Sequence, residues 1–215
     1  MKSDLLLTTD FICFTTRDYA LANGQSLPSA SRTLTRLAKL KVIIRVTKGI
    51  WANTKHPYFS PLGCVPLLLG PEQGYVSFLT ALHRQGVISQ IPPTIQVATT
   101  GHSRKRKTPV GTFEFFKMKP QMMIEGVQWS DARLPYRIAT AEKALVDTLY
   151  LSTRRGKRFS ALPELEFSFD KKRLLSLIKK QVQSKAITTA ILERLKKLVE
   201  PFLITSMTPG AGVAY

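Results

Sequence analysis

The chain is short of acid. Fourteen Asp and Glu face 32 Lys and Arg across 215 residues, leaving a formal net charge of +18. A surplus of that size excludes an acidic surface and implies a polyanionic partner, with nucleic acid expected ahead of an anionic membrane. Long apolar runs are missing too. The longest surrounds Cys64-Val65-Pro66-Leu67-Leu68-Leu69 and falls far below the ~20 residues that a membrane span needs. Met1-Lys2-Ser3-Asp4 leads into too short an apolar run for a signal peptide, and no small-residue cleavage site follows. A cytoplasmic protein is therefore expected. Two cysteines, Cys13 and Cys64, are too few for a disulfide framework. His56, His83 and His102 lie far apart with no Cys pair beside them, which argues against zinc. No glycine loop of Walker or Rossmann spacing is present. Neither a metal nor a cofactor is expected.

What remains is an ordinary folded composition, 44% hydrophobic, in a length that fits one or two domains. The expected class is α+β: an N-terminal winged helix-turn-helix over 1–55, a Pro-rich linker over 56–71, a small mixed α/β domain over 72–155 with a short sheet and flanking helices, and a C-terminal helical extension over 156–215 forming a hairpin. Basic surplus lies at both ends. Residues 1–55 carry nine basic and three acidic side chains, 56–153 ten and six, and 154–215 thirteen and five.

Leu5, Leu6, Ile12 and Phe14 can supply the apolar face of a first helix. A second is expected after Thr16, read as its N-cap with Tyr19 where a capping box wants Glu, and it stops at Asn23-Gly24. The third, from Pro28 to Leu40, sets Ala30, Leu34, Leu37 and the stem of Lys41 on one stripe. Its other face presents Ser29, Ser31, Arg32, Thr33, Arg36 and Lys39. Forked guanidinium groups and short hydroxyls fit base edges and phosphates in the major groove, so this is the expected recognition helix. The plainer reading is a small helical unit with a solvated basic face. Two β-rich runs, 42–46 and 50–53, flank Thr47-Lys48-Gly49 and read as a hairpin placed to be a wing, with Arg45 and Lys48 near the DNA backbone. Thr16 and Arg17 are expected to hold the second helix on that backbone.

Further on, 75–86 reads as an amphipathic helix ended by Gly86, 94–99 and 111–117 as strands, and 122–126 as a possible third strand. Between the two strands lies Arg104-Lys105-Arg106-Lys107. It is a second candidate polyanion grip, or a solvated β-hairpin loop. A strand at 136–139 leads into a helix capped by Thr140. In the tail, Asp170 can cap a helix from 171 to 183 with Leu174, Ile178 and Val182 inward. A second helix, about 185–200, sets Ile187, Ile191, Leu195 and Leu198 on one stripe.

Tyr75-Val76-Ser77-Phe78-Leu79-Thr80-Ala81-Leu82-His83, Ile95-Gln96-Val97-Ala98-Thr99, the Arg/Lys segment before Thr112-Phe113, and above all Arg137-Ile138-Ala139-Thr140-Ala141-Glu142-Lys143-Ala144-Leu145-Val146-Asp147 resemble the AbiEi-type antitoxins of type IV toxin–antitoxin systems. Gly49-Ile50-Trp51, closing the expected wing, resembles the same family. The likeness spans roughly residues 1–155. It implies a repressor binding inverted repeats on double-stranded DNA ahead of its own operon. It also implies a second domain that counters a nucleotidyltransferase-type toxin, with or without direct contact.

Two other classes compete. A nuclease would need converging carboxylates drawn from Glu114, Glu142 and Asp147. Glu142 and Asp147 stand five apart and do not share a helix face, and Glu142 is expected to pair with Arg137 instead. His83, beside Leu79 and Leu82, reads as a packed or capping histidine. A ligand-sensing regulator would need a pocket in the second domain. No catalytic site of its own is expected.

Overall fold

The computed structural model describes residues 11–123, 125–155, 169, 171–183, 192–193 and 196–197. Among these residues the fold is α+β with two sheets. The expected helix face at Leu5 and Leu6, the Asp170 cap and nearly all of the expected helix over 185–200 lie outside these residues.

The N-terminal part begins with a strand where a helix was expected. β1 (Cys13–Thr15) pairs antiparallel with β3 (Ile50–Ala52), which also pairs with β2 (Ile44–Thr47). Phe14 alternates inward from that strand, so its burial follows the two-residue period of a β-strand. The next helix, α1 (Thr16–Ala22), is capped one residue earlier than the sequence suggests. Thr15 is extended, its hydroxyl accepts from the Asp18 N–H at 3.1 Å, and the Asp18 carboxylate accepts from the Thr15 N–H at 2.8 Å. The capping box is complete, with Asp in the place where Glu is usual. Asn23 and Gly24 then stop α1, Gly24 at φ +58°.

Helix α2 (Leu27–Lys39) is capped by Ser26, with Pro28 in its first turn. Ala30, Leu34 and Leu37 are buried against Phe14, Tyr19, Ala20, Ile43 and Trp51 in a small core of their own. Lys41 does not continue that stripe. Its N–H reaches the Ala38 carbonyl and the Val42 N–H reaches that of Leu37, a Schellman ending that puts the exposed Lys41 at φ +56°.

The remaining strands form one mixed sheet in the order β6-β7-β5-β4-β9-β8. β4 (Gly74–Val76), absent from the sequence-based expectation, lies between β5 (Ile95–Thr99) and β9 (Arg137–Ala139). The helix expected over 75–86 is thus shorter, α4 (Phe78–Arg84), and Phe78 turns the chain out of β4 at φ +55°. The basic run is not a loop but an edge strand, β6 (Arg104–Thr108), antiparallel to β7 (Gly111–Lys117). In place of a strand over 122–126 there is a 3-10 turn, Pro120–Met123, before β8 (Val127–Trp129).

Adjacent residues of β4 show which elements cover each face. Tyr75 reaches Asp147 on α5 (Ala141–Arg155), while a Cβ on Gly74 would fall 2.7 Å from Leu69 of α3 (Val65–Leu69). Neighbouring side chains in a strand point to opposite faces, so α5 and α3 lie on opposite sides. Gln96, on the Tyr75 side, accepts from the Leu79 N–H and places α4 there with α5. Residues 56–71 hold a 3-10 turn (Pro61–Cys64) as well as α3, and bury Leu62, Cys64, Val65, Leu68 and Leu69 in the main core. Val46, Ile50 and Ala52 of the β2–β3 hairpin belong to that core too, whereas Trp51 faces the small one. The hairpin is therefore shared between the two cores. Thr140 caps α5 through the Lys143 N–H at 3.3 Å, and α6 (Lys171–Gln183) buries Leu174, Leu177 and Ile178. The Val182 side chain lies outside the described residues.

Candidate nucleic-acid interface

The outer face of α2 is a cationic surface set on a single helix. Ser31, Arg32, Thr35, Arg36 and Lys39 line one shallow groove along the helix, and all five are exposed. The cause is angular. At about 100° per residue these positions fall opposite the Ala30–Leu34–Leu37 stripe, which the small core fixes. No acid occurs anywhere in α2. The Arg32 side chain lies back along the helix, its Nε donating to the Pro28 carbonyl at 3.4 Å. The Arg36 and Lys39 side chains make no hydrogen bond or ion pair among the described residues.

Other expected contacts sit less centrally. Ser29 and Thr33 are half-buried on the shoulder of the stripe, and the Ser29 N–H is held by the Ser26 hydroxyl at 3.4 Å. Thr35, absent from the expected set, occupies the middle of the exposed face and donates its hydroxyl to the Ser31 carbonyl at 2.7 Å. Helical periodicity could have found it: 35 is one turn from both Ser31 and Lys39.

Thr16 is a brace. Its hydroxyl accepts from the Trp51 indole N–H at 2.9 Å, and its own N–H donates to the Gly49 carbonyl at 2.9 Å. The hairpin tip is thereby tied to the start of α1. Gly49 stands at φ +79°, which suits glycine at a tight turn. Arg17 and Lys48 are exposed, and neither side chain makes a hydrogen bond or ion pair among the described residues. Arg45 lies over the Trp51 ring at 5.6 Å, so one arginine of the hairpin is held in place by a cation–π contact.

The four residues of β6 divide. Arg104 is committed to the fold: its guanidinium pairs with Glu72 at 2.8 Å and stacks over Phe115 at 4.2 Å. Burial pushes the Glu72 carboxyl up, but hydrogen bonds from Arg104 and Thr99 outweigh it and hold the group below the usual carboxylate value. Lys105 and Lys107 are exposed on the face shared with Thr112 and Glu114, and Arg106 is half-buried opposite Phe113. Lysines on an edge strand also discourage pairing with another chain.

The acids weighed for metal chemistry are dispersed, and no group of three His, Cys, Asp or Glu side chains stands together among the described residues. Glu114 accepts from the Thr94 hydroxyl at 3.2 Å. Asp147 is buried and paired with Lys143, one turn away, while its second oxygen accepts from Tyr75 at 2.9 Å and Ser77 at 2.8 Å. Burial drives the Lys143 ammonium below its ordinary value against the pull of Asp147, and burial, then Asp147, drives the Tyr75 phenol well above its own. Glu142 does not pair with Arg137, whose guanidinium donates to the Met123 carbonyl at 3.4 Å. His83 is half-buried, and its Nδ1–H donates to the Ile88 carbonyl at 3.2 Å. No described helix is long and apolar enough to cross a membrane.

The chain matches no protein-family model and no curated sequence.

Proposed function

We propose that the chain is a DNA-binding transcriptional repressor whose first unit, β1 to β3, is a winged helix-turn-helix. Helix α2 enters the major groove. Arg32, Arg36 and Lys39 contact bases and phosphates, Ser31 and Thr35 contact base edges, and the hairpin carries Arg45 and Lys48 to the neighbouring backbone. One observation carries the reading: an acid-free helix face, held outward by its own small core, presents Arg32, Arg36 and Lys39 together in a chain of net charge +18. The alternative of a merely solvated face predicts binding without sequence preference.

The resemblance to AbiEi-type antitoxins extends the proposal. The operator is an inverted repeat upstream of the chain's own reading frame, and the α/β unit counters a nucleotidyltransferase-type toxin. The test is a gel shift on that upstream DNA at fixed salt with the Arg32→Ala/Arg36→Ala double variant. Loss of the shifted band with an unchanged circular-dichroism spectrum is expected. An undiminished shift overturns the assignment of α2. Rescue of growth during toxin co-expression tests the second half separately.

A further inference from the structure

The chain's two cysteines lie 51 positions apart and meet in space: Cys13 Sγ donates to Cys64 Sγ at 2.8 Å. They come from different units. Cys13 opens β1 of the three-stranded sheet and is half-buried, whereas Cys64 ends the 3-10 turn and is fully buried in the main core. Ala52, the cross-strand partner of Cys13, also belongs to that core. The thiols therefore sit on the seam between the DNA-binding unit and the α/β unit. Neither the DNA reading nor the antitoxin reading uses them, and no third metal-ligating side chain joins them in a group among the described residues.

We propose that Cys13 and Cys64 form an oxidative modification site, at which hydrogen peroxide converts the pair to a disulfide that latches the first unit onto the second. The sulfurs are already in contact, and a disulfide of about 2.05 Å asks them to approach by less than about 1 Å more. Peroxide is small enough for a half-buried thiol. Cys13 Sγ attacks one peroxide oxygen and the O–O bond breaks. Cys13 becomes a sulfenic acid, and the departing hydroxide takes the thiol proton and leaves as water. Cys64 Sγ then attacks Cys13 Sγ, and the sulfenic hydroxyl departs with the Cys64 proton as a second water. Two thiols and one peroxide give one disulfide and two waters, so the protein loses two electrons and two hydrogens. The order follows exposure, because Cys13 is half-buried and Cys64 wholly buried. The hydrogen bond to Cys64, together with burial, pushes the Cys13 thiol up. Since the thiolate is the nucleophile, the reaction is slow at neutral pH and accelerates in alkali.

The test uses the full chain, reduced, desalted, exposed to hydrogen peroxide and digested without reductant. The expected result is one peptide pair joining Cys13 to Cys64 within a single chain, lighter than the free pair by two hydrogens. The oxidised protein should melt about 5–10 °C higher, and dithiothreitol should reverse the shift. Cys64→Ser should instead trap a dimedone-reactive sulfenic acid on Cys13 and show no melting shift. The wild-type peptide map stands even if that variant does not fold. Over-oxidised Cys13 beside an unlinked Cys64, a disulfide between two chains, or a linked chain with an unmoved melting temperature would each overturn the proposal. None of these outcomes depends on whether the chain binds DNA.

Discussion

Lys143 and Asp147 stand one turn apart on α5, both side chains wholly buried and paired with each other, with the Lys143 ammonium 5.4 Å from the centre of the Tyr75 ring. They tie α5 to β4, because the second Asp147 oxygen collects the hydroxyls of Tyr75 and Ser77. The Thr-x-Glu-Lys-Ala-x-x-Asp block, the most distinctive stretch of the sequence, thus holds a helix against a sheet. Removing one partner leaves an uncompensated buried charge. Lys143→Met should cost about 3–5 kcal/mol, and Lys143→Met with Asp147→Leu should recover only part of that loss, because the Tyr75 and Ser77 hydroxyls lose their acceptor. Urea unfolding of the two single variants and the double variant measures the coupling; simply additive losses would contradict it.

The end of α2 makes a second prediction. Lys41 is exposed in the left-handed region at the position where helices favour glycine. An L-residue there costs about 1–2 kcal/mol. Lys41→Gly should therefore stabilise the protein by roughly 0.5–1 kcal/mol, since the more flexible unfolded chain takes back part of the relief. Thermal melting of the variant checks this, and a lower melting temperature would contradict the Schellman ending.

Acid weakens the Glu72–Arg104 bridge. The Glu72 carboxyl sits below its ordinary value in the folded chain. Its contribution is therefore complete above the unfolded value, and it fades as pH falls through the folded one. The bridge is partly exposed, so at neutral pH the wild type should exceed Glu72→Gln by no more than about 1 kcal/mol. Urea unfolding at neutral and acid pH should show the gap closing in acid. A gap that widens there would contradict the assignment.

Parts of this architecture are written in the sequence and parts are not. Helix α2 is legible because Ala30, Leu34 and Leu37 repeat at helical spacing beneath a polar face, although its Ser26 cap is seen only in the structure. The hairpin is legible from two β-rich runs around Gly49. β1 and β4 are three residues each, too short for a two-residue period to register, and Tyr75-Val76 merges with the apolar pattern of the helix after it. β6 is hidden by its composition: Arg-Lys-Arg-Lys reads as a solvated loop until Phe113 and Phe115 are placed opposite it. Nothing local in the sequence marks Lys143 and Asp147 as a buried pair, because only the fold brings Tyr75 and Ser77 to them. The Cys13–Cys64 contact spans 51 positions, and no local pattern encodes it. Thr35, by contrast, was within reach of helical geometry, since its neighbours Ser31 and Lys39 were already on the chosen face.

The central claim is that the outer face of α2 reads DNA. Its most direct measurement is the affinity for upstream operator DNA and for a scrambled duplex across a salt series, in the wild type, Arg32→Ala/Arg36→Ala and Lys105→Ala/Lys107→Ala. The account predicts that the α2 variant loses the preference for operator and flattens the salt slope by about two. The β6 variant should keep the preference. Equal preference in wild type and α2 variant, or a preference that vanishes only with Lys105 and Lys107, would contradict it.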